Sequence, residues 1–225
     1  MLGACDSRRS YLATDSETGQ SVVWTEFQLA DLADEDVAKC MDYCVKCSRD
    51  IPQFFVLLQS YWIDREHSLL ITIMEYLKKG CMEDFLLKSD ASSPQRNHPE
   101  YLLLVRSWII SLLRVLDYMH SLQPPLFLPT LSVSHIYFVE NVDNIKLALF
   151  PLFLSKGWSE SPDCVRYLPC EAVESKFISD ASEVYSLGVC VLEMLTGKLA
   201  FDVPTLQAMM AMKRSPVRNA ITRDA

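Results

Sequence analysis

Residues 181–195 are apolar almost all the way round a helical wheel, and the run ends at Gly197. Such a helix has no polar face to turn to water, so it requires neighbours on several sides. A glycine just past its end supplies the left-handed conformation on which helices commonly close. The C-terminal half is therefore predicted to be a layer of helices with this segment in its middle. Pro99 sits well for the start of a second, long helix. Val105, Trp108, Ile109, Leu112, Leu113, Leu116 and Met119 recur at three- and four-residue steps along it, and Pro124-Pro125 stops it. A short helix over 82–87 precedes a polar segment, 89–98, read as a flexible loop. Short strands are predicted at 135–139 and 145–149 about a turn at 141–144.

The first 75 residues follow a different period. Strands are predicted at 10–13 and 21–27 around the polar turn 15–19, and at 54–62 and 68–74 around Asp64, Arg65, Glu66 and His67. Between them, 30–47 is acidic at its start and places Leu32, Val37, Met41 and Val45 near a spacing of four. That pattern predicts an amphipathic helix, with Asp31 or Asp34 as its cap.

Composition narrows the function classes. The 225 residues are 50% hydrophobic and 22% charged, enough to bury a substantial core. Against 21 basic residues stand 29 acidic ones, a formal charge of -8, which argues against nucleic acid or an anionic membrane surface as partner. The first dozen residues contain Asp6, Arg8 and Arg9 and lack the apolar run of a secretory signal, and the expected location is cytoplasmic. Apolar runs such as 102–105 and 148–154 are far shorter than the roughly 20 residues needed to cross a bilayer. The eight cysteines are expected to be reduced. Cys40, Cys44 and Cys47 share one helix face at spacings of four and three, a pattern that suits a metal. No fourth ligand accompanies them, and packed thiols explain the spacing as well.

The order of elements, a small β-rich part with one helix followed by a mainly helical part containing a short hairpin, resembles a protein kinase. Particular residues carry the resemblance. Ser182-Glu183-Val184-Tyr185-Ser186-Leu187-Gly188-Val189 and Leu192-Glu193-Met194-Leu195-Thr196-Gly197 are similar to the D-x-W-S-x-G segment that opens the central helix of kinase C-lobes. Pro169-Cys170-Glu171 falls where kinases carry A-P-E, and Gly3, Cys5, Arg8, Tyr11 and Ala13 fall along the glycine-rich loop. A nearer resemblance is to the nuclear receptor-binding protein group of pseudokinases, which is similar to the with-no-lysine kinases. It rests on Val22-Val23-Trp24-Thr25-Glu26-Phe27-Gln28, on Tyr61-Trp62, and on Leu116, Tyr118, His120 and Ser121 followed by Pro124-Pro125.

The resemblance implies an α+β, bilobal kinase-like fold with an N-lobe over about 1–75, a hinge over about 75–80 that includes Glu75, and a C-lobe over about 81–225. It also implies a chain shortened at both ends, with later C-terminal helices missing. Glu171 would then lack its usual arginine partner, Arg214 or Arg218 being the substitutes at hand.

Kinase catalysis positions phosphates and stabilises charge with a lysine, its glutamate partner, a base and metal ligands. At the corresponding positions this chain carries Thr25 for the lysine, Asp42 for its partner, Thr130 for the base, His135 for the metal-binding asparagine and Leu149 for the metal carboxylate. No Asp or Glu occurs in 126–139 or 144–159, so a displaced acid is not available nearby. Leu149, Phe150, Leu152 and Phe153 look able to fill the pocket. Arg8 is the one residue placed to reach a phosphate, at the third glycine position, and an exposed arginine beside Arg9 is the plainer reading. The expectation is therefore no catalytic residue, no metal, no cofactor and no ATP binding. A pseudokinase adaptor that binds proteins in signalling or trafficking complexes is the first reading. An atypical serine/threonine kinase that retains ATP binding and a non-functional truncated isoform or fragment are the alternatives.

Overall fold

The computed structural model describes residues 3–5, 8–29, 32–88, 98–127, 131–149, 162–201 and 206–214, and its N-terminal part is a sheet. Strands β1 (Gly3–Cys5), β2 (Arg8–Thr14), β3 (Ser21–Gln28), β4 (Leu58–Asp64) and β5 (Leu69–Glu75) pair antiparallel in the order β1-β2-β3-β5-β4. The β2–β3 turn is held by the Asp15 carboxylate, which accepts from the Glu17 amide and the Thr18 hydroxyl. Gly19 there adopts φ 70°, a conformation open to glycine without steric cost. Along β3 the period of two sends Val23, Thr25 and Phe27 to one face and Trp24 and Glu26 to the other. On the second face the rings of Trp24 and Trp62 meet edge to face with centroids 4.8 Å apart. Two motif fragments far apart in sequence thus touch.

Helix α1 (Asp34–Asp50) contributes Val37, Met41, Cys44 and Cys47 to the core that also holds Phe27, Leu58 and Leu70. Its start corrects the predicted cap. Ala33 is the N-cap and no side chain caps it, while Asp34, Glu35 and Asp36 lie inside the first turn, where carboxylates favour the positive end of the helix dipole. Asp31 lies outside the described residues. The strand predicted from 54 begins only at Leu58, because Phe54–Val56 turns its backbone to another partner: the Leu147 amide donates to the Phe54 carbonyl (2.8 Å) and the Val56 amide to the Leu147 carbonyl (3.0 Å).

The C-terminal part comprises α2 (Met82–Lys88), α3 (Pro99–Ser121), the hairpin β6 (Ile136–Phe138) and β7 (Ile145–Leu147), α4 (Pro162–Tyr167), α5 (Cys170–Ser175), α6 (Asp180–Thr196) and α7 (Leu206–Arg214). Helix α3 starts at Pro99 as predicted and buries Val105, Trp108, Leu112, Val115, Leu116 and Met119. Leu113, expected on that face, is exposed. Trp108 donates its ring N–H to the Val142 carbonyl at 2.6 Å and packs against Phe85, Tyr101 and Phe138.

Helix α6 opens with a reciprocal Ser179–Ser182 capping box and closes on Gly197 at φ 66°. It is not buried all round, as its apolar run predicts. Val184, Leu192 and Leu195 are exposed, whereas Ser182, Glu183, Ser186 and Glu193 face inward. The inward polar groups hold because each finds a partner. Ser186 donates to the Ser182 and Tyr167 carbonyls, and Glu193 accepts from Tyr167 and from the Ala200 amide. Among the described residues no helix is long and apolar enough to cross a membrane.

Candidate functional site

Between the sheet and the helical part lies a cleft of about 430 Å³. Strands β2 and β3 roof it with Arg8, Ser10 and Val23; Val56 and Met74 form its back; Ser134, Tyr137 and Ala148 lie below. The segment from Glu75 to Cys81 and helix α2 complete the rim. The described lining carries four cations, Arg8, Lys78, Lys79 and Lys88, against three carboxylates, Glu75, Glu83 and Asp84. So nearly balanced a set provides little net field to concentrate a polyanion. Burial pushes the Tyr137 hydroxyl up to about 12, which keeps it a neutral hydrogen-bonding group.

The residues singled out in the sequence come together only in part. Thr25 is fully buried on the inner face of β3, its hydroxyl 3.1 Å from that of Ser10 on the paired strand. Leu149 is also buried and belongs to the core. Asp42, for which the sequence offers no obvious mate, accepts a 2.7 Å hydrogen bond from Tyr61 of β4. The same tyrosine donates to the Ala38 carbonyl, so the carboxylate is spent on fixing α1 against the sheet. Its distance in the chain, 19 residues from Tyr61, hides the partnership from spacing rules. Thr130, Phe150, Leu152 and Phe153 lie outside the described residues.

Arg8 and His135 meet. The Arg8 guanidinium is 2.8 Å from His135 Nε2, and His135 Nδ1 is 2.9 Å from the Ser132 hydroxyl. The bond spans 127 residues of sequence and ties β2, which roofs the cleft, to the segment just before β6, so the arginine, read as exposed or as a weak candidate for a phosphate contact, is half-buried with a partner within the chain. Glu75 closes the back of the same space. Its Oε1 accepts from Lys146 of β7 at 2.6 Å and from the Leu57 amide at 2.8 Å, with only 13% of the lysine side chain exposed. Removing the lysine leaves a shielded carboxylate with one donor. Lys146→Met is expected to lower the unfolding midpoint by several degrees, a loss of roughly 1–3 kcal/mol. A melting curve superimposable on the parent's would show the pair to be energetically silent.

Two further clusters lie outside the cleft. His120 Nε2, at the end of α3, is 2.5 Å from Glu183 Oε2 in the first turn of α6, which brings the Leu116–Ser121 and Ser182–Val189 motifs into contact. Glu171, expected to lack its usual arginine partner, is exposed. Arg214 pairs with Glu174 instead, and Arg218 lies outside the described residues. Lys213 of α7 does the anchoring: it donates to the Val165 and Leu168 carbonyls and lies over the rings of Tyr185 and Phe201, 5.5 and 5.2 Å from their centroids. Desolvation holds its ammonium down to about 8. Cys44 and Cys47 are buried core groups of α1. Among the described residues no three His, Cys, Asp or Glu side chains gather as a metal site.

No protein-family model matches the chain. Curated proteins do. It is 25% identical over 211 residues to the nuclear receptor-binding protein homolog of Drosophila melanogaster, covering 82% of this chain and 30% of that protein. Over 207 residues it is 22% identical to the probable serine/threonine-protein kinase WNK5 of Oryza sativa subsp. japonica, covering 89% of this chain and 61% of the relative. Nuclear receptor-binding protein 2 of Mus musculus is 26% identical over 204 residues, covering 82% and 39%. The chain thus spans between about a third and three-fifths of the length of these relatives.

Proposed function

We propose that this chain, a kinase-like protein resembling the nuclear receptor-binding proteins and WNK kinases, is a non-catalytic scaffold that works by binding other proteins. The observation that carries the reading is a pair of buried, uncharged side chains, Thr25 and Leu149, at the positions where the resemblance calls for the phosphate-binding lysine and the metal carboxylate. A threonine hydroxyl held by Ser10 offers no charge to a phosphate, and an alkyl group does not ligate magnesium, which requires oxygen donors. With both groups absent, the charge-assisted contacts that hold a metal nucleotide are missing. The diversion of Asp42 to Tyr61 and of Arg8 to His135 supports the same reading. We take the cleft and its surroundings as a kinase-like scaffold with an N-lobe ending near Glu75. Its partners are proteins of signalling or trafficking complexes in the cytoplasm, and the acidic charge disfavours nucleic acid.

Thermal unfolding in millimolar ATP, with and without magnesium, tests this reading, because a ligand that prefers the folded state raises its stability by mass action. No shift in either condition is the expected result. A magnesium-dependent rise of several degrees, abolished by Arg8→Ala, would favour the alternative of an atypical kinase that retains nucleotide.

A further inference from the structure

We propose that the contact between Arg8 and His135 is an acid-released clasp across the cleft. It follows from donor and acceptor chemistry. Guanidinium carries only donors and remains charged at any pH a folded protein meets, so at 2.8 Å from Arg8 the Nε2 atom of His135 must be the acceptor. The ring is therefore neutral, with its proton on Nδ1, where the Ser132 hydroxyl 2.9 Å away accepts it. Ser132 in turn lies 2.9 Å from the Ser134 hydroxyl, which extends the chain of bonds. Protonating Nε2 removes the only lone pair facing the arginine and sets two cations in contact. The bond exists with the neutral ring alone, so it contributes at higher pH and is lost when acid protonates the ring.

The setting makes the release consequential. His135 is 3% exposed and lies next to Ser134 of the cleft floor, while Arg8 comes from strand β2 of the roof, so the bond ties these two segments together. Around them, β6 presents Tyr137, the segment before α2 presents Cys81, and α2 presents Glu83 and Asp84. Lys146 of β7 is paired with Glu75 at the back. Acid thus undoes a bond that holds β2 to the segment just before β6. The proposal rests on the preceding reading only in that the histidine is free of metal and nucleotide.

Long-range proton–nitrogen NMR of the histidine rings, recorded on the full chain from pH 8 to 5, tests the clasp. At pH 8 His135 is expected as the Nδ1–H tautomer, the minor form of free imidazole. On protonation, amide protection of β2 and of 133–138 is expected to fall about tenfold relative to the rest of the sheet, as loss of one charged hydrogen bond implies. Arg8→Ala should remove both the tautomer bias and the acid-dependent step. His135→Asn, whose amide oxygen can still accept from Arg8, should keep the protection while abolishing its pH dependence. A His135 ring doubly protonated at pH 8, or a tautomer and titration unchanged in Arg8→Ala, would overturn the proposal. Since ATP titration reports on the scaffold reading and ring tautomer on the clasp, either can fail while the other stands.

Discussion

Leu149→Asp, which places a carboxylate where the kinase resemblance calls for one, is expected to unfold the chain and to confer no phosphoryl transfer. Leu149 is 1% exposed and shares its core with Leu131, Val133 and Leu147. A carboxylate there is stripped of water, and the side chain it replaces belongs to the hydrophobic core. The cost is roughly 3–5 kcal/mol or more, a large fraction of the stability of an ordinary domain. Urea unfolding should show a midpoint far below the parent's, or no cooperative transition at all. Leu149→Asn separates charge from polarity: it should be damaging, yet less so. A folded Leu149→Asp protein that binds magnesium and ATP would mean that the cleft keeps its catalytic shape, and the scaffold reading would have to be abandoned.

The second large effect concerns Glu193. Its side chain is fully buried in α6, and the carboxyl is raised to about 7. Burial is the main cause. It is opposed by the hydrogen bonds from Ala200 and Tyr167 and by the nearby charge of Arg166. The folded value lies above the usual 4.5, so between about 4.5 and 7 the folded chain holds a proton that the unfolded chain has released. Stability therefore falls as pH rises through that window and levels off above it. Integrated over the window, the loss is at most on the order of 3 kcal/mol. Glu193→Gln keeps an oxygen for the Ala200 amide and gives Tyr167 a donor, so it should flatten the slope. Denaturant unfolding at pH 5 and pH 8 measures both proteins. If the variant loses as much between the two as the parent, the slope belongs to another group.

Why the sequence revealed some of this and not the rest follows from particular residues. The period of two in β3, the start of α3 at Pro99 and the closure of α6 on Gly197 depend on local backbone chemistry and are legible in a single segment. The pairing of Trp24 with Trp62 was legible only as two fragments of one resemblance. Helix α6 misleads because periodicity counts apolar residues and says nothing about partners. Its inward face includes Glu183 and Glu193, satisfied by His120, Tyr167 and Ala200, and an apolar strip is left outside. Similarly, Asp42 and Arg8 could be named from their places in a pattern, but their partners, Tyr61 and His135, are fixed by the fold and lie 19 and 127 residues away. The lysine that anchors α7, Lys213, gives no signal beyond a basic residue in a last turn. Its value comes from the two rings and two carbonyls that surround it.

The backbone stitch between Phe54–Val56 and Leu147 bears on how the chain comes apart. Those main-chain bonds, made by a segment that precedes β4 and a strand of the helical half, run beside the Glu75–Lys146 ion pair. Neither half can rotate away from the other without exposing buried amide and carbonyl groups, which is unfavourable. The sheet and the helices are consequently expected to open as one cooperative unit, with slow amide exchange in β5 and β7 reporting the same global opening. Opening of the cleft is accordingly expected at its front, where β2 is held by the Arg8–His135 bond, rather than at the stitched back.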